Sequence, residues 1–114
     1  MYKRQVIKST DGGASWRPAN SGLPRLRVKE PTGKWITYTV GVTTLVIDPA
    51  HPTTLYAAPY GRGIFRSTDA GNSWQSLNAG LSVLDVRALA LAATGRMLYA
   101  GTSGGGVVSL RRPL

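Results

Sequence analysis

The chain has 114 residues, 42% hydrophobic and 17% charged, with 14 Lys and Arg against 5 Asp and Glu. That size suits one domain or part of one, and the composition is that of a globular chain rather than a disordered one. The absence of cysteine excludes disulfides and thiolate metal sites, and a single histidine, His51, excludes a histidine-rich zinc site.

No apolar run approaches the roughly 18 residues of a membrane-spanning helix, so no span is expected. The net charge of +9 can attract nucleic acid, anionic lipid or acidic glycans. The basic residues are dispersed except at Arg25, Arg27 and Lys29. No aromatic-rich RNA motif or helix-turn-helix pattern accompanies them, so specific nucleic-acid binding is not expected.

Residues 1–5, Met1-Tyr2-Lys3-Arg4-Gln5, resemble a translated reading frame of a sequencing-library adapter. They are read as a non-native leader outside the fold, and the remainder as a fragment. Residues 6–24 form a partial repeat unit, 25–42 an insertion, 43–82 a complete unit and 83–114 an incomplete one.

Ile7–Pro24 lies over Phe65–Ser82 at an offset of 58, with nine of 18 positions identical. That level of agreement marks an internal repeat. A second pairing sets Leu45–Phe65 over Leu89–Val108 at a spacing of 43 to 44. Leu55-Tyr56-Ala57 recurs there as Leu98-Tyr99-Ala100. The difference between the spacings locates the insertion between about Arg25 and Gly41.

The insertion reads as a hairpin. Arg25, Arg27 and Lys29 alternate onto one face, residues 31–34 turn, and Trp35–Val40 is rich in strand formers. Trp35 and Tyr38 are candidate contact residues on it. Thr43–Asp48, Thr54–Pro59, Ile64–Ser67 and Ser73–Leu77 read as four strands. Asp48-Pro49 and Pro52 make the stretch around His51 a rigid turn. Leu81–Ala93 reads as a loop and then a strand, because it aligns over Thr43–Pro49. The predicted strand tally is two, then four, then three.

Four short strands in about 44 residues is the size of one β-propeller blade. The predicted fold class is all-β, a partial propeller of four-stranded antiparallel blades. Stacked blades cover a sheet on both sides, which explains the continuous apolar run Leu45-Val46-Ile47.

The eight-residue phrase Ser9–Trp16 recurs at Ser67–Trp74. Ser9, Asp11, Gly13, Ser15 and Trp16, and again Ser67, Asp69, Gly71, Ser73 and Trp74, match the pattern Ser-x-Asp-x-Gly-x-Ser-Trp. The chain therefore resembles the Asp-box, or BNR, β-propellers, which include sialidases, xyloglucan-active hydrolases, sortilin-type receptors and a photosystem II assembly factor. The resemblance implies a structural turn between the third and fourth strands of a blade, and an extracellular or periplasmic setting. Each aspartate is expected to bind its own turn, and Trp16 and Trp74 to bury a large face beneath it.

Paired catalytic carboxylates must converge, and equivalent positions on different blades do not. One carboxylate per phrase is too few for a calcium loop. "GTSGGG" lacks the Lys-Ser/Thr of a phosphate loop. No catalytic residue, metal or cofactor is expected.

In the resembled propellers, ligands meet loops joining strands two and three and loops joining blades. Residues 59–63, with Tyr60 and Arg62, residues 102–106 and the insertion qualify here. The reading is a noncatalytic scaffold for a protein or glycan ligand. Missing blades or self-association through open edges are expected to supply further contacts. The alternative is a fragment of a secreted glycoside hydrolase whose catalytic residues lie outside this chain.

Overall fold

A computed structural model describes residues 5–77, 84–92, 96–104 and 106–111. Met1–Arg4, the start of the loop expected at Leu81 and Ala93 lie outside them. Gln5, read as leader, accepts a hydrogen bond from the Asn20 side chain at 3.0 Å.

The described residues form strands and turns with no helix. The strands are β1 (Ile7–Lys8), β2 (Arg17–Pro18), β3 (Arg25–Lys29), β4 (Trp35–Thr39), β5 (Val42–Ile47), β6 (Leu55–Pro59), β7 (Phe65–Ser67), β8 (Gln75–Ser76), β9 (Val86–Leu91), β10 (Met97–Thr102) and β11 (Gly106–Arg111). They make four open antiparallel sheets: β1-β2, β3-β4, β5-β6-β7-β8 and β9-β10-β11.

Sheet β5–β8 is the centre. On β6, Leu55 and Ala57 point to one face and Tyr56 and Ala58 to the other, as strand geometry requires. Tyr56, Ala58 and Ile64 meet Val86, Leu89, Leu98 and Ala100 from the β9–β11 sheet. Ala57 and Trp74 meet Val6, Ala19 and Leu23 on the opposite side. Burial on both faces is why Leu55–Pro59 is apolar without alternation. Thr43 ties the layers together, its hydroxyl serving the carbonyls of Ala58 at 2.9 Å and Val86 at 3.0 Å.

On β5 the expectation of two-sided cover fails. Val46 packs into the core, but Leu45 is 42% exposed and Ile47 54%. The β1-β2 ribbon has only two strands and leaves the β5 part of that face uncovered.

Candidate functional site

The repeated phrase builds the same loop twice. In the first copy, Ser9 Oγ donates to Asp11 Oδ1 and accepts from Gly13 N–H, both at 2.8 Å. Ser15 N–H donates to Asp11 Oδ1 at 2.9 Å, and its hydroxyl donates to Oδ2. In the second, Ser67, Asp69, Gly71 and Ser73 repeat these four bonds. Gly13 and Gly71 have φ of +96° and +87°, which side chains disfavour. Ala70 holds +61° where the first copy has Gly12, and is the one described non-glycine residue with positive φ.

Each carboxylate is thus spent on its own turn. The hydroxyl and N–H of Ser15 hold the Asp11 carboxyl down at about 2, and Ser73 lowers that of Asp69 in the same way. Because the folded value lies below the ordinary one near 4, ionisation favours the folded loop. That contribution is complete above about pH 4 and disappears as pH falls through about 2. A carboxyl ¹³C titration should give an Asp11 midpoint near 2, and Asp11→Asn should remove this part of the acid dependence of unfolding. A midpoint near 4 would contradict the loop geometry.

The tryptophans part company. Trp74 is 3% exposed, and its indole N–H donates to the Ala19 carbonyl at 2.8 Å. Trp16 is 59% exposed, against the expectation that both indoles are buried. The cause is what lies beneath. Trp74 rests on residues 19–23, held by Asn20, whose side chain accepts from Val6 N–H at 2.8 Å. Trp16 has no such segment under it among the described residues.

The best candidate binding surface is at one end of the central sheets. Tyr60 is 57% exposed on the β6–β7 turn, with the Arg87 guanidinium 5.5 Å from its ring centre. Arg87 Nη2 donates to Asp85 Oδ2 at 3.1 Å, and Nε lies 3.1 Å from Oδ1 as an ion-pair contact. The hydrogen bond to Asp85 and the charge of its carboxylate raise the already high pKa of Arg87. Backbone bonds lock four connecting segments there: Gly63 N–H to Leu84 O at 2.8 Å, Ser103 N–H to Asp85 O at 3.0 Å and Tyr60 N–H to Gly41 O at 2.8 Å. Arg62 is exposed on the same turn. A rigidly mounted aromatic face beside a fixed guanidinium suits stacking combined with anion pairing.

The β3-β4 arm rises next to this cluster. Its register sets Arg25 opposite Thr39, Arg27 opposite Thr37 and Lys29 opposite Trp35, so the three cations share one face with Trp35. Arg27 lies 4.6 Å from the Trp35 ring centre and Lys29 5.9 Å. Tyr38 pairs with Leu26 on the strand. From Gly41 at the root, Trp35 is roughly 20 Å away along an extended strand. The candidate residues therefore divide between two places, with Tyr60 and Arg62 at the root and Trp35 near the tip.

Sequence reasoning missed Asp85 and Arg87. Asp85 has a signal in its position, since it sits in a connection between repeat units, the class of loop already singled out; Arg87 is the second residue of β9. His51 stays with its turn, its Nδ1 3.4 Å from the buried Asp48 carboxylate. Among the described residues no three His, Cys, Asp or Glu side chains cluster to hold a metal, and no helix is long and apolar enough to cross a membrane. No family model, curated protein or solved structure matches the chain.

Proposed function

We propose that the chain is a noncatalytic piece of an Asp-box β-propeller that presents a protein or glycan ligand with the Tyr60 end of its sheets. The observation that carries this reading is the Tyr60–Arg87–Asp85 cluster, an exposed ring beside a paired cation where backbone bonds join the surrounding loops. The aspartates of the repeated phrase support it, since each is consumed by its own turn. In this reading β1-β2 is the outer half of one blade, β5–β8 a whole blade and β9–β11 three strands of the next.

Glycan and peptide arrays probed with the wild-type chain, Tyr60→Ala and Trp35→Ala test it. Tyr60→Ala should weaken a captured ligand at least about tenfold, the loss of about 1.4 kcal/mol expected for a stacking contact. Trp35→Ala should matter less, because Trp35 already carries Arg27 and Lys29 against its ring. Equal binding by wild type and Tyr60→Ala would remove the Tyr60 surface from consideration.

A further inference from the structure

We infer that the cationic face of the β3-β4 arm binds single-stranded nucleic acid without sequence preference. The chain is strongly basic, with 14 Lys and Arg against 5 Asp and Glu. Arg25, Arg27 and Lys29 stand in one exposed row, because alternate residues of a strand share a face. They recur about every 7 Å along β3, so each repels the next. The chain's carboxylates are engaged elsewhere. Asp11 and Asp69 are bound by Ser15 and Ser73 of their own turns, Asp48 faces His51, and Asp85 accepts from Arg87. Glu30, at the turn of the arm, makes no ion pair among the described residues. Strands β3 and β4 pack only against each other among the described strands, so the row stays open. Its occupant therefore brings negative charge, repeated along an extended line.

The aromatic residue on the same face selects among polyanions. Trp35 is 50% exposed and stands diagonally across the ladder from Arg27. The Arg27 guanidinium lies over its ring, 4.6 Å from the centre, with the Lys29 ammonium at 5.9 Å. A guanidinium is itself a flat, delocalised plane. A nucleobase can stack on the indole or on that plane. The saturated ring of an acidic sugar has no π-face of its own, and would compete with Arg27 for the indole. Thr37 and Thr39 complete the face opposite Arg27 and Arg25. Their hydroxyls are donors of the kind that phosphate oxygens accept from, and arginine adds bidentate pairing to the same groups. A duplex keeps its bases stacked on one another and out of reach of Trp35, which favours the single strand. Stacking and phosphate contacts read no base edge, so no sequence is preferred. This inference stands apart from whether ligands meet Tyr60.

The probe is a short fluorescein-labelled oligothymidylate, titrated with the full chain and followed by anisotropy. Binding should be saturable, and log affinity should fall against log salt with a slope of about −2, the value for three neutralised phosphates of a single strand. The triple variant Arg25→Gln, Arg27→Gln, Lys29→Gln should lose at least about tenfold in affinity and most of that slope. Arg17→Gln removes an exposed charge away from the arm, and should change affinity by less than about twofold. Trp35→Ala should weaken binding at least about tenfold. Arg27→Lys keeps the charge and removes the plane, and should weaken it at least about threefold. All these positions are exposed, so far-UV circular dichroism should not change. Absence of saturable binding at low salt overturns the inference, as does wild-type affinity in either Trp35→Ala or Arg27→Lys. So does a loss in Arg17→Gln equal to that of the triple variant. Competition by a duplex, or by a heparin fragment of equal charge, as effective as that of the unlabelled strand also overturns it.

Discussion

Replacing Trp74 with alanine should lower folding stability by about 3–5 kcal/mol, while Trp16→Ala should change it by less than about 0.5 kcal/mol. The two residues end equivalent eight-residue phrases and differ in what they touch. Trp74 is buried among Val6, Ala19, Leu23 and Ala57. Its truncation opens a cavity at the meeting of two sheets and leaves the Ala19 carbonyl without the indole donor. Trp16 is exposed and has little packing to lose. Urea denaturation of both variants measures the contrast, using circular dichroism because the mutations remove fluorophores. Equal destabilisation would mean that Trp16 is buried in solution.

Gly22→Ala should cost about 2–4 kcal/mol by overpacking and backbone strain acting on the same contact. Gly22 has φ of +91°, and a methyl group there would lie 2.2 Å from the Trp74 carbonyl oxygen. That oxygen belongs to the backbone, so no rotamer change relieves the clash. The hydrogen bond from Trp74 N–H to the Ser21 carbonyl, 2.8 Å long, would be strained with it. Chemical denaturation of Gly22→Ala, alone and with Trp74→Ala, tests this. The double variant should lose less than the sum of the single losses, since both act at one interface. Gly12→Ala is the control for the backbone term, because a methyl group there meets nothing within 4 Å.

Much of this architecture was legible because its signals are local. The strands around Asp48 and Tyr56 were marked by β-rich runs between turn residues, and the structure places them within one or two residues of expectation. The arm was legible from the alternation of Arg25, Arg27 and Lys29 and the turn before Trp35. Two kinds of fact were not legible. The first is cover: Leu45 and Leu55 look alike in sequence, and only the reach of the neighbouring sheet decides that Leu55 is partly buried and Leu45 exposed. The fate of Trp16 is the same fact again. The second is the pairing of side chains from distant loops. Tyr60 was a candidate from its turn, but the partner that fixes its surroundings, Arg87, comes from the start of β9, 27 positions further on. Periodicity cannot report such a meeting.

The two feet of the β3-β4 arm are joined by a 2.9 Å hydrogen bond from Val40 N–H to the Pro24 carbonyl. To the rest of the molecule, the fifteen residues between them count as little more than a single knot. Once that knot is tied, lengthening the stretch adds only about 0.6 kcal/mol of closure entropy per doubling. The site is thus a natural graft point, where evolution or an engineer can exchange one cassette for another while the parent scaffold keeps its shape.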